Sequence, residues 1–187
     1  MDVSTVTARL NVVPRWLDDE QQRAWRGWLD LNAQLSAALH RHLQATSGLS
    51  LPDYDVLVAL TDIPKRSLRM FELGRRLGWD KSRLSKQVSR MAARGLVVRR
   101  ECPDDLRGAF VDLTEAGLAA IRTAAPAHVE LVQHLVFDGL SRAQVRELAT
   151  LSRVLLERLA AETAEVPEPR RRGAGARAAA ARRPGGR

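Results

Sequence analysis

The sequence has few of the features that mark secreted, disulfide-bonded or membrane-embedded proteins. Its 187 residues contain one cysteine, Cys102, which excludes an intramolecular disulfide. No apolar run approaches the roughly 18 residues that a membrane-spanning helix needs. The N-terminus lacks the basic-then-apolar pattern of a signal peptide. We therefore expect a soluble, cytoplasmic protein with no membrane partner.

The residue groups that enzymes and metal sites require are also scarce. The sequence contains no recognisable nucleophile–base pair and no phosphate-cradling glycine loop. His40 and His42 lie too close together to share a helix face, and His128 with His134 lacks the spacing of metal ligands. We expect no enzymatic activity, no cofactor and no bound metal.

Positive charge is what the chain has in excess, and it is concentrated in two segments. The net charge of +8 divides into −2 for residues 1–61, +7 for 62–111, −2 for 112–164 and +5 for 165–187. A mildly acidic scaffold around a basic middle is typical of a nucleic-acid-binding module within a larger fold.

Long amphipathic helices are predicted at both ends of the chain. The first follows Pro14, begins in an acidic turn and ends near Gly48, and the last runs from the Ser141–Gln144 capping box to about 163. Their apolar stripes exceed what a domain of about 100 residues can cover, so a two-fold partner is expected to bury them. The stripes are Trp25, Trp28, Leu35, Leu39 and Leu43, and Val145, Leu148, Leu151, Leu155 and Leu159.

The basic middle predicts two helices joined by a tight turn, followed by two strands. A helix from Ser50 or Pro52 to Ile63 precedes them. The predicted order is a helix over 70–78, a helix from Asp80 to Gly95, a strand over 96–102, a turn over 103–108 and a strand over 109–113. This order is that of a winged helix, so the predicted fold is mainly α with a small β-wing, flanked by dimerisation helices.

The segment after the wing predicts an interrupted helix. Thr114 is placed to cap a helix that runs from Glu115 towards Phe137. Pro126 removes one backbone hydrogen bond, so a kink or break is expected just before it.

The helix after Asp80 carries the clearest functional signal. At about 100° per residue, Leu84, Val88 and Met91 fall on one side, and the opposite side carries Ser82, Arg83, Lys86, Arg90 and Arg94. Two cations occupy the first turn, where the helix dipole disfavours them, which indicates a functional rather than a stabilising purpose. Arg83 and Lys86 are predicted to read bases in a DNA major groove, with Ser82 and Ser85 donating short hydrogen bonds and Lys81, Arg90 and Arg94 anchoring phosphates.

The wing sequence DLRGAFVDLTEAG, residues 105–117, resembles the signature of the multiple antibiotic resistance regulator (MarR) family. That signature is an Asp, a spacer, Arg-Gly, then a strand that ends in Leu-Thr with a Gly three residues on. The upstream LSKQVSRMAARGLVVRR is similar to the recognition helix and following strand of the same family. The resemblance extends over about 25–163 in element order and is most specific between 68 and 117.

The resemblance implies a homodimeric transcriptional regulator, usually a repressor, that a small aromatic or lipophilic ligand releases from an inverted-repeat operator. It places Arg107 in the minor groove at the wing tip, beside Gly108, and gives Asp105 an ion pair that holds the wing. An Arg between acidic residues and a Gly is also suited to a narrow, electronegative groove.

The family usually forms its ligand pocket between the first two helices and the DNA-binding lobe. Tryptophan beside arginine could cradle an aromatic carboxylate, although such a stripe is more often dimer core. The predicted pocket residues are Arg15, Trp16, Trp25, Arg26, Trp28, His40, Tyr54 and Asp55.

The predicted organisation has five parts. An N-terminal extension covers 1–14, a helix for dimerisation and ligand binding 15–48, the DNA-binding lobe 49–114, dimerisation helices 115–163, and a disordered tail 164–187 that is either inert or a nonspecific DNA arm. Two alternatives stay open. One is a winged helix that binds protein, and the other is a redox-sensing regulator that acts through Cys102.

Overall fold

The computed structural model describes the backbone of residues 15–102 and 105–165, and the side chains of these except for 102, 105–107 and 163–165. The predicted extension over 1–14 and the tail from 166 onward lie outside the described residues. Within the described part of the chain, no helix is long and apolar enough to cross a membrane.

Six α-helices and one small antiparallel sheet make up the described structure. The chain divides into two units, residues 1–139 and residues 140–187. The helices are α1 Asp19–Ser47, α2 Leu51–Thr61, α3 Met70–Leu77, α4 Lys81–Ala93, α5 Glu115–Val132 and α6 Arg142–Glu165, and the strands are β1 Ser67–Arg69, β2 Val97–Cys102 and β3 Asp105–Leu113. A π-helical turn, Gln133–Phe137, follows α5.

Side-chain caps explain where most of the helices begin. Asp18 and Gln21 form a capping box at α1, and Ser50 forms one with Asp53 at α2. Asp80 accepts hydrogen bonds from the first turn of α4. Left-handed glycines close α1 and α3, at Gly48 and Gly78, where a side chain would be strained. The predicted bounds of α2, α3 and α4 agree with the structure to within two residues, whereas α1 ends where predicted but begins at Asp19, four residues after the predicted start at 15.

The sheet has strand order β1-β3-β2, with both pairs antiparallel. β1 is a strand that the sequence does not predict, because three residues are too few to show an alternating pattern. It pairs Leu68 with Val111 and so ties the segment before α3 to the wing. The winged helix-turn-helix order predicted from the sequence is confirmed.

The wing turn is shorter than predicted. The sequence indicates a turn over 103–108, but β3 already begins at Asp105. The register jumps at this end of the hairpin, because Glu101 faces Ala109 whereas Cys102 faces Asp105. Pairing across the hairpin therefore overrides the local turn preference of the Asp and Gly residues, at the expense of an irregular edge.

Pro126 does not break its helix, so that part of the prediction is wrong. α5 continues through Pro126 to Val132, and the departure from α-helical geometry comes later, in the π-helical turn. Pro126 and Arg122, whose carbonyl loses its donor, both lie on the exposed side of the helix. Packing of α5 against α1 and α2 retains the helix despite the lost bond.

The core of the first unit lies between α2, α4, α5 and the sheet. Only the C-terminal half of α1 contributes, because Leu43 is fully buried whereas Trp25 and Trp28 remain 53% and 44% exposed. In the second unit, α6 begins at the predicted Ser141–Gln144 capping box and extends to Glu165. Its stripe residues Leu151, Leu155 and Leu159 are likewise exposed. Each predicted stripe is therefore partly exposed.

Gly117 lies where the wing meets α5, and no larger residue fits there. Thr114 caps α5 by accepting a hydrogen bond from the Gly117 N–H, and its hydroxyl donates to the carbonyl oxygens of Gly95 and Leu96. A Cβ on Gly117 would lie 2.1 Å from the Leu96 carbonyl oxygen and 2.8 Å from Leu113 Cδ1. Because one of these neighbours is backbone, relief would require the strand to move.

We expect Gly117→Ala to lower the free energy of unfolding by about 3 kcal/mol, because the added methyl overpacks a tight contact. Urea denaturation at one fixed protein concentration measures this. Gly27→Ala is the matched control, because Gly27 is in a helix with nothing within 4 Å of its Cβ position. That change should instead stabilise the protein by about 0.5–1 kcal/mol. Equal effects of the two substitutions would contradict the packing argument.

Candidate nucleic-acid interface

The N-terminus of α4 is built to present cations. The Asp80 carboxylate accepts hydrogen bonds from the backbone N–H of Arg83 at 3.0 Å and of Ser82 at 2.8 Å. These bonds, the one from Arg83 foremost, hold the pKa of Asp80 below its ordinary value. The capping carboxylate stays ionised and offsets the helix dipole, which otherwise disfavours Lys81 and Arg83 in the first turn.

The two faces of α4 are divided as its periodicity predicts. Leu84, Val88 and Met91 are buried in the core. The opposite side is exposed to solvent and comprises Ser82, Arg83, Lys86 and Arg90. Lys81 is also exposed, in the first turn and outside this face. Ser85 is half-buried at the edge of this face. Four of the seven predicted recognition residues therefore share one accessible face of the helix.

Arg94 has a partner inside the protein. Its Nη1 lies 2.8 Å from Oδ2 of Asp53, and its Nη2 donates to the Gly48 carbonyl oxygen at 2.9 Å. The sequence could not show this, because Asp53 and Gly48 are more than forty residues away. Arg94 thus joins the end of α4 to the end of α1 and the start of α2.

Asp53 is the centre of a buried polar network. Its carboxylate, 4% exposed, also accepts hydrogen bonds from the Ser50 N–H at 2.8 Å and from Gln87 Nε2 at 2.6 Å. Gln87 is buried as well and accepts a hydrogen bond from Arg90. Arg90 is therefore partly engaged, and its exposed guanidinium is held near the end of the cationic face.

The wing is held by a second ion pair. Arg100 donates to both oxygens of Asp112, at 2.9 and 3.3 Å, and Ser67 donates to the same carboxylate. Burial alone would raise the pKa of Asp112, but these hydrogen bonds outweigh it and the pKa lies below its ordinary value. Of the predicted wing residues, Gly108 is half-buried, whereas the side chains of Asp105 and Arg107 lie outside the described residues.

A groove of about 590 Å³ separates α3 and α4 from the wing. Its lining combines aromatic side chains with cations from several elements: Arg69, Phe71, Arg75, Trp79, Lys81 and Arg99. Arg69, Arg75 and Arg99 were not among the predicted recognition residues. Each stands on a different element, so no single helix face could have revealed the cluster they form.

The predicted ligand-pocket residues are not all brought together. Tyr54 and Asp55 lie on α2, and His40 Nδ1 accepts a hydrogen bond from the Leu51 N–H at 3.2 Å. Burial raises the pKa of both Tyr54 and Asp55. The remaining five residues stand exposed on or before α1: Arg15, Trp16, Trp25, Arg26 and Trp28. None of the eight lines the groove beside the wing.

The sequence did not predict that His128 lies beside Tyr54 and close to His42. The His128 ring lies 4.2 Å from the Tyr54 ring, and burial followed by the proximity of His42 lowers the pKa of His128. His42 Nε2 and His128 Nδ1 are buried without a hydrogen-bond partner among the described residues. Among the described residues, no group of three or more His, Cys, Asp or Glu side chains could hold a metal ion.

Comparison with known proteins gives consistent matches. The model of the MarR family matches residues 47–108. Sco3205, a MarR family transcriptional regulator from Streptomyces coelicolor solved in complex with DNA, is 40% identical with a TM-score of 0.73, over 77% of this chain and 91% of that one. AbsC, a MarR family transcriptional regulator from the same organism, is 38% identical with a TM-score of 0.73, over 79% and 99%.

A more distant match was solved with a small molecule. The PcaV transcriptional regulator from Streptomyces coelicolor, in complex with its natural ligand, is 26% identical with a TM-score of 0.59, over 68% of this chain and 89% of that one. No curated protein matches the sequence.

We expect Arg94→Ala to lower the free energy of unfolding by about 2 kcal/mol, because it leaves the buried Asp53 carboxylate without its cation. Lys86→Ala, which removes an exposed cation from the same helix, should change stability by no more than about 0.5 kcal/mol. Chemical denaturation of both variants at equal protein concentration tests the difference. Similar losses in the two would show that the network around Asp53 contributes nothing specific.

Proposed function

The chain belongs to the MarR family of transcriptional regulators, which are not enzymes, and on this premise we propose that it is a cytoplasmic repressor. It binds an inverted-repeat operator in double-stranded DNA as a homodimer. The observation that carries this proposal is the exposed cationic face of α4, set on a helix whose other face is locked into the core.

α4 enters the major groove with its N-terminal residues at the base edges. A helix of this width fits the groove, and Arg or Lys can donate to guanine O6 and N7. Arg83 and Lys86 are the base-reading residues, and Ser82 and Ser85 donate short hydrogen bonds nearby. Lys81 and Arg90 contact phosphates, whereas Arg94 is assigned to holding the helix, since its N–H groups are committed to Asp53 and Gly48.

The wing follows the adjacent minor groove. The backbone places Arg107 in the part of β3 nearest the tip of the hairpin. An arginine at such a tip suits the strong negative potential of a narrow minor groove. Gly108 gives the backbone room there, and Asp105 pairs with a neighbouring arginine to hold the wing. Arg69, Arg75 and Arg99, which line the groove beside the wing, add phosphate contacts.

Dimerisation is supported by the uncovered apolar faces of the two terminal helices. Trp25, Trp28 and Leu31 on α1 are exposed, and so are Leu151 and Leu155 on α6. Large apolar side chains exposed along one face of a helix mark a protein interface. A two-fold partner that covers these faces would place two copies of α4 about 34 Å apart, one turn of DNA.

Release by a small aromatic or lipophilic effector is the regulatory part of the proposal. The support is the aromatic and cationic character of the first two helices, with Arg26, Trp28 and Tyr54 among the residues expected to contact the effector. PcaV, which is 26% identical, was solved with its natural ligand.

Arg83→Ala and Arg107→Ala are each expected to weaken binding to the promoter region beside the protein's own gene by about 1–3 kcal/mol. The first substitution removes a contact to base edges in the major groove, and the second removes a contact in the minor groove. Fluorescence anisotropy with a labelled duplex at constant salt measures the change. Arg122→Ala is the charge-matched control, because Arg122 is an exposed cation of α5 and should leave affinity unchanged.

Unchanged affinity in both variants would contradict the groove assignments. Absence of specific binding by the wild-type protein would favour the alternative in which the winged helix binds protein. Aromatic carboxylic acids titrated into the wild-type complex should release the duplex if the effector proposal is right.

Leu155→Asp should weaken self-association by about 100-fold or more, because an unpaired buried charge costs about 3–5 kcal/mol. Sedimentation velocity at micromolar concentration should then show one chain instead of two. Thr150→Asp adds the same charge on the opposite side of α6, where Thr150 is exposed, and should leave the mass unchanged. A wild-type protein that sediments as a single chain would contradict the dimer.

A further inference from the structure

We propose that Trp79 is a positioning residue for sequence recognition, which holds the Arg83 guanidinium in the orientation from which it reads a base edge. The inference rests on the proposed function, in which Arg83 contacts bases. Trp79 precedes α4, and sequence reasoning gave it no role in DNA binding.

The contact is a cation–π stack. The central carbon of the Arg83 guanidinium lies 4.3 Å from the centroid of the Trp79 ring. A guanidinium that stacks by its face keeps its N–H donors in their plane, where they can still reach guanine O6 and N7. The stack therefore orients the group without using the donors that recognition needs.

Other arginines of the lobe differ from Arg83 because their N–H donors are occupied within the protein. Arg94 and Arg100 direct their N–H groups at the carboxylates of Asp53 and Asp112, so these donors are occupied within the protein. The Arg83 side chain donates no hydrogen bond to any of the described residues. Among the cations of α4, it is the one that lies over an aromatic ring and donates no side-chain hydrogen bond, as far as the described residues extend.

Trp79 is itself fixed by the helix-turn-helix turn. Its side chain packs against the core, and its backbone N–H donates to the Gly74 carbonyl oxygen at 2.9 Å. The preceding Gly78 has a φ of 65°, which sets the direction of the turn. A Cβ on Gly74 would lie 3.2 Å from the Trp79 carbonyl oxygen, so the approach is close. The ring is thus a rigid platform beside a long, flexible side chain.

A neighbouring carboxylate adds to the restraint. Asp55, half-buried on α2, is raised in pKa by burial, and the charge of Arg83 partly offsets that rise. The two groups therefore attract each other across the space between α2 and α4. An arginine ordered before binding loses less conformational entropy when it contacts DNA, which favours the specific complex.

The effect should be selective for sequence. Phosphate contacts do not depend on how Arg83 is oriented, whereas base contacts do. An exposed cation–π pair is worth about 0.5–1 kcal/mol, equivalent to about two- to fivefold in affinity. Loss of the ring should therefore lower the preference for the operator and leave binding to unrelated DNA unchanged.

The test compares Trp79→Leu with the wild type on two duplexes of equal length, one from the promoter beside the protein's own gene and one of scrambled sequence. The measure of sequence preference is the dissociation constant of the scrambled duplex divided by that of the promoter duplex. We expect this ratio to fall about two- to fivefold in Trp79→Leu, with the scrambled duplex bound as before. Trp79→Phe, which restores a ring, should recover most of the ratio. Phe71→Leu is the matched control, because Phe71 is an exposed aromatic residue in the same groove.

A double variant separates positioning from general stability. In an Arg83→Ala background, Trp79→Leu should cause no further loss of the ratio, because no guanidinium remains to be held. An additive loss would overturn the proposal. If Arg83→Ala lowers the ratio but Trp79→Leu leaves it unchanged, the proposal for Trp79 is also overturned. That result would still support base reading by Arg83. No effect of Arg83→Ala would instead refute the proposed function on which the inference rests.

A spectroscopic measurement keeps the proposal testable even if Trp79→Leu fails to fold. In the free wild-type protein, the Arg83 Nε–Hε resonance should be displaced by the ring current of Trp79. The resonance is assigned to Arg83 because it should be missing from the spectrum of Arg83→Ala. A resonance at the ordinary position of an unstacked arginine would overturn the proposal.

Discussion

The buried carboxylate of Asp53 holds together the three helix ends on which the proposed recognition surface depends. Removing a carboxylate from water costs several kcal/mol, so the group is tolerable only with well-placed donors. Ser50, Gln87 and Arg94 supply them, and Arg94 extends the network to the last turn of α1. Because α1 also bears one of the uncovered apolar faces, the network connects the proposed dimer interface directly to the orientation of α4.

The arginines of the lobe differ by what their guanidinium groups do, and not by their charge. Arg94 and Arg100 neutralise carboxylates and stabilise the scaffold. Arg83 lies over the Trp79 ring and forms no ion pair with a carboxylate of the described residues, whereas Arg100, which lies over the Phe110 ring, is bound to Asp112. The basic middle of the chain is therefore partly structural, and its net positive charge overstates the number of cations that face a partner.

The sequence predicts those features that local chemistry decides. Caps such as Ser50, Asp80 and Ser141 start their helices where expected, and the period of α4 separates its buried and exposed faces correctly. Features that depend on distant partners could not be predicted in this way. β1 exists because β3 pairs with it, the wing turn is shortened by the register across the hairpin, and the helix continues through Pro126 because other helices pack against it. The ion pair between Arg94 and Asp53 spans 41 positions and leaves no local signal.

The division of α4 into two faces has a consequence for how such a protein can diverge. Leu84, Gln87, Val88 and Met91 maintain the lobe and are shielded from any partner. The exposed positions between them can change almost without cost to folding, since surface substitutions usually alter stability by about 0.5 kcal/mol or less. A new DNA target could therefore arise by exchanging a few exposed residues on an unaltered scaffold. Residues on the exposed face of the helix can thus be replaced, whereas those on its buried face cannot.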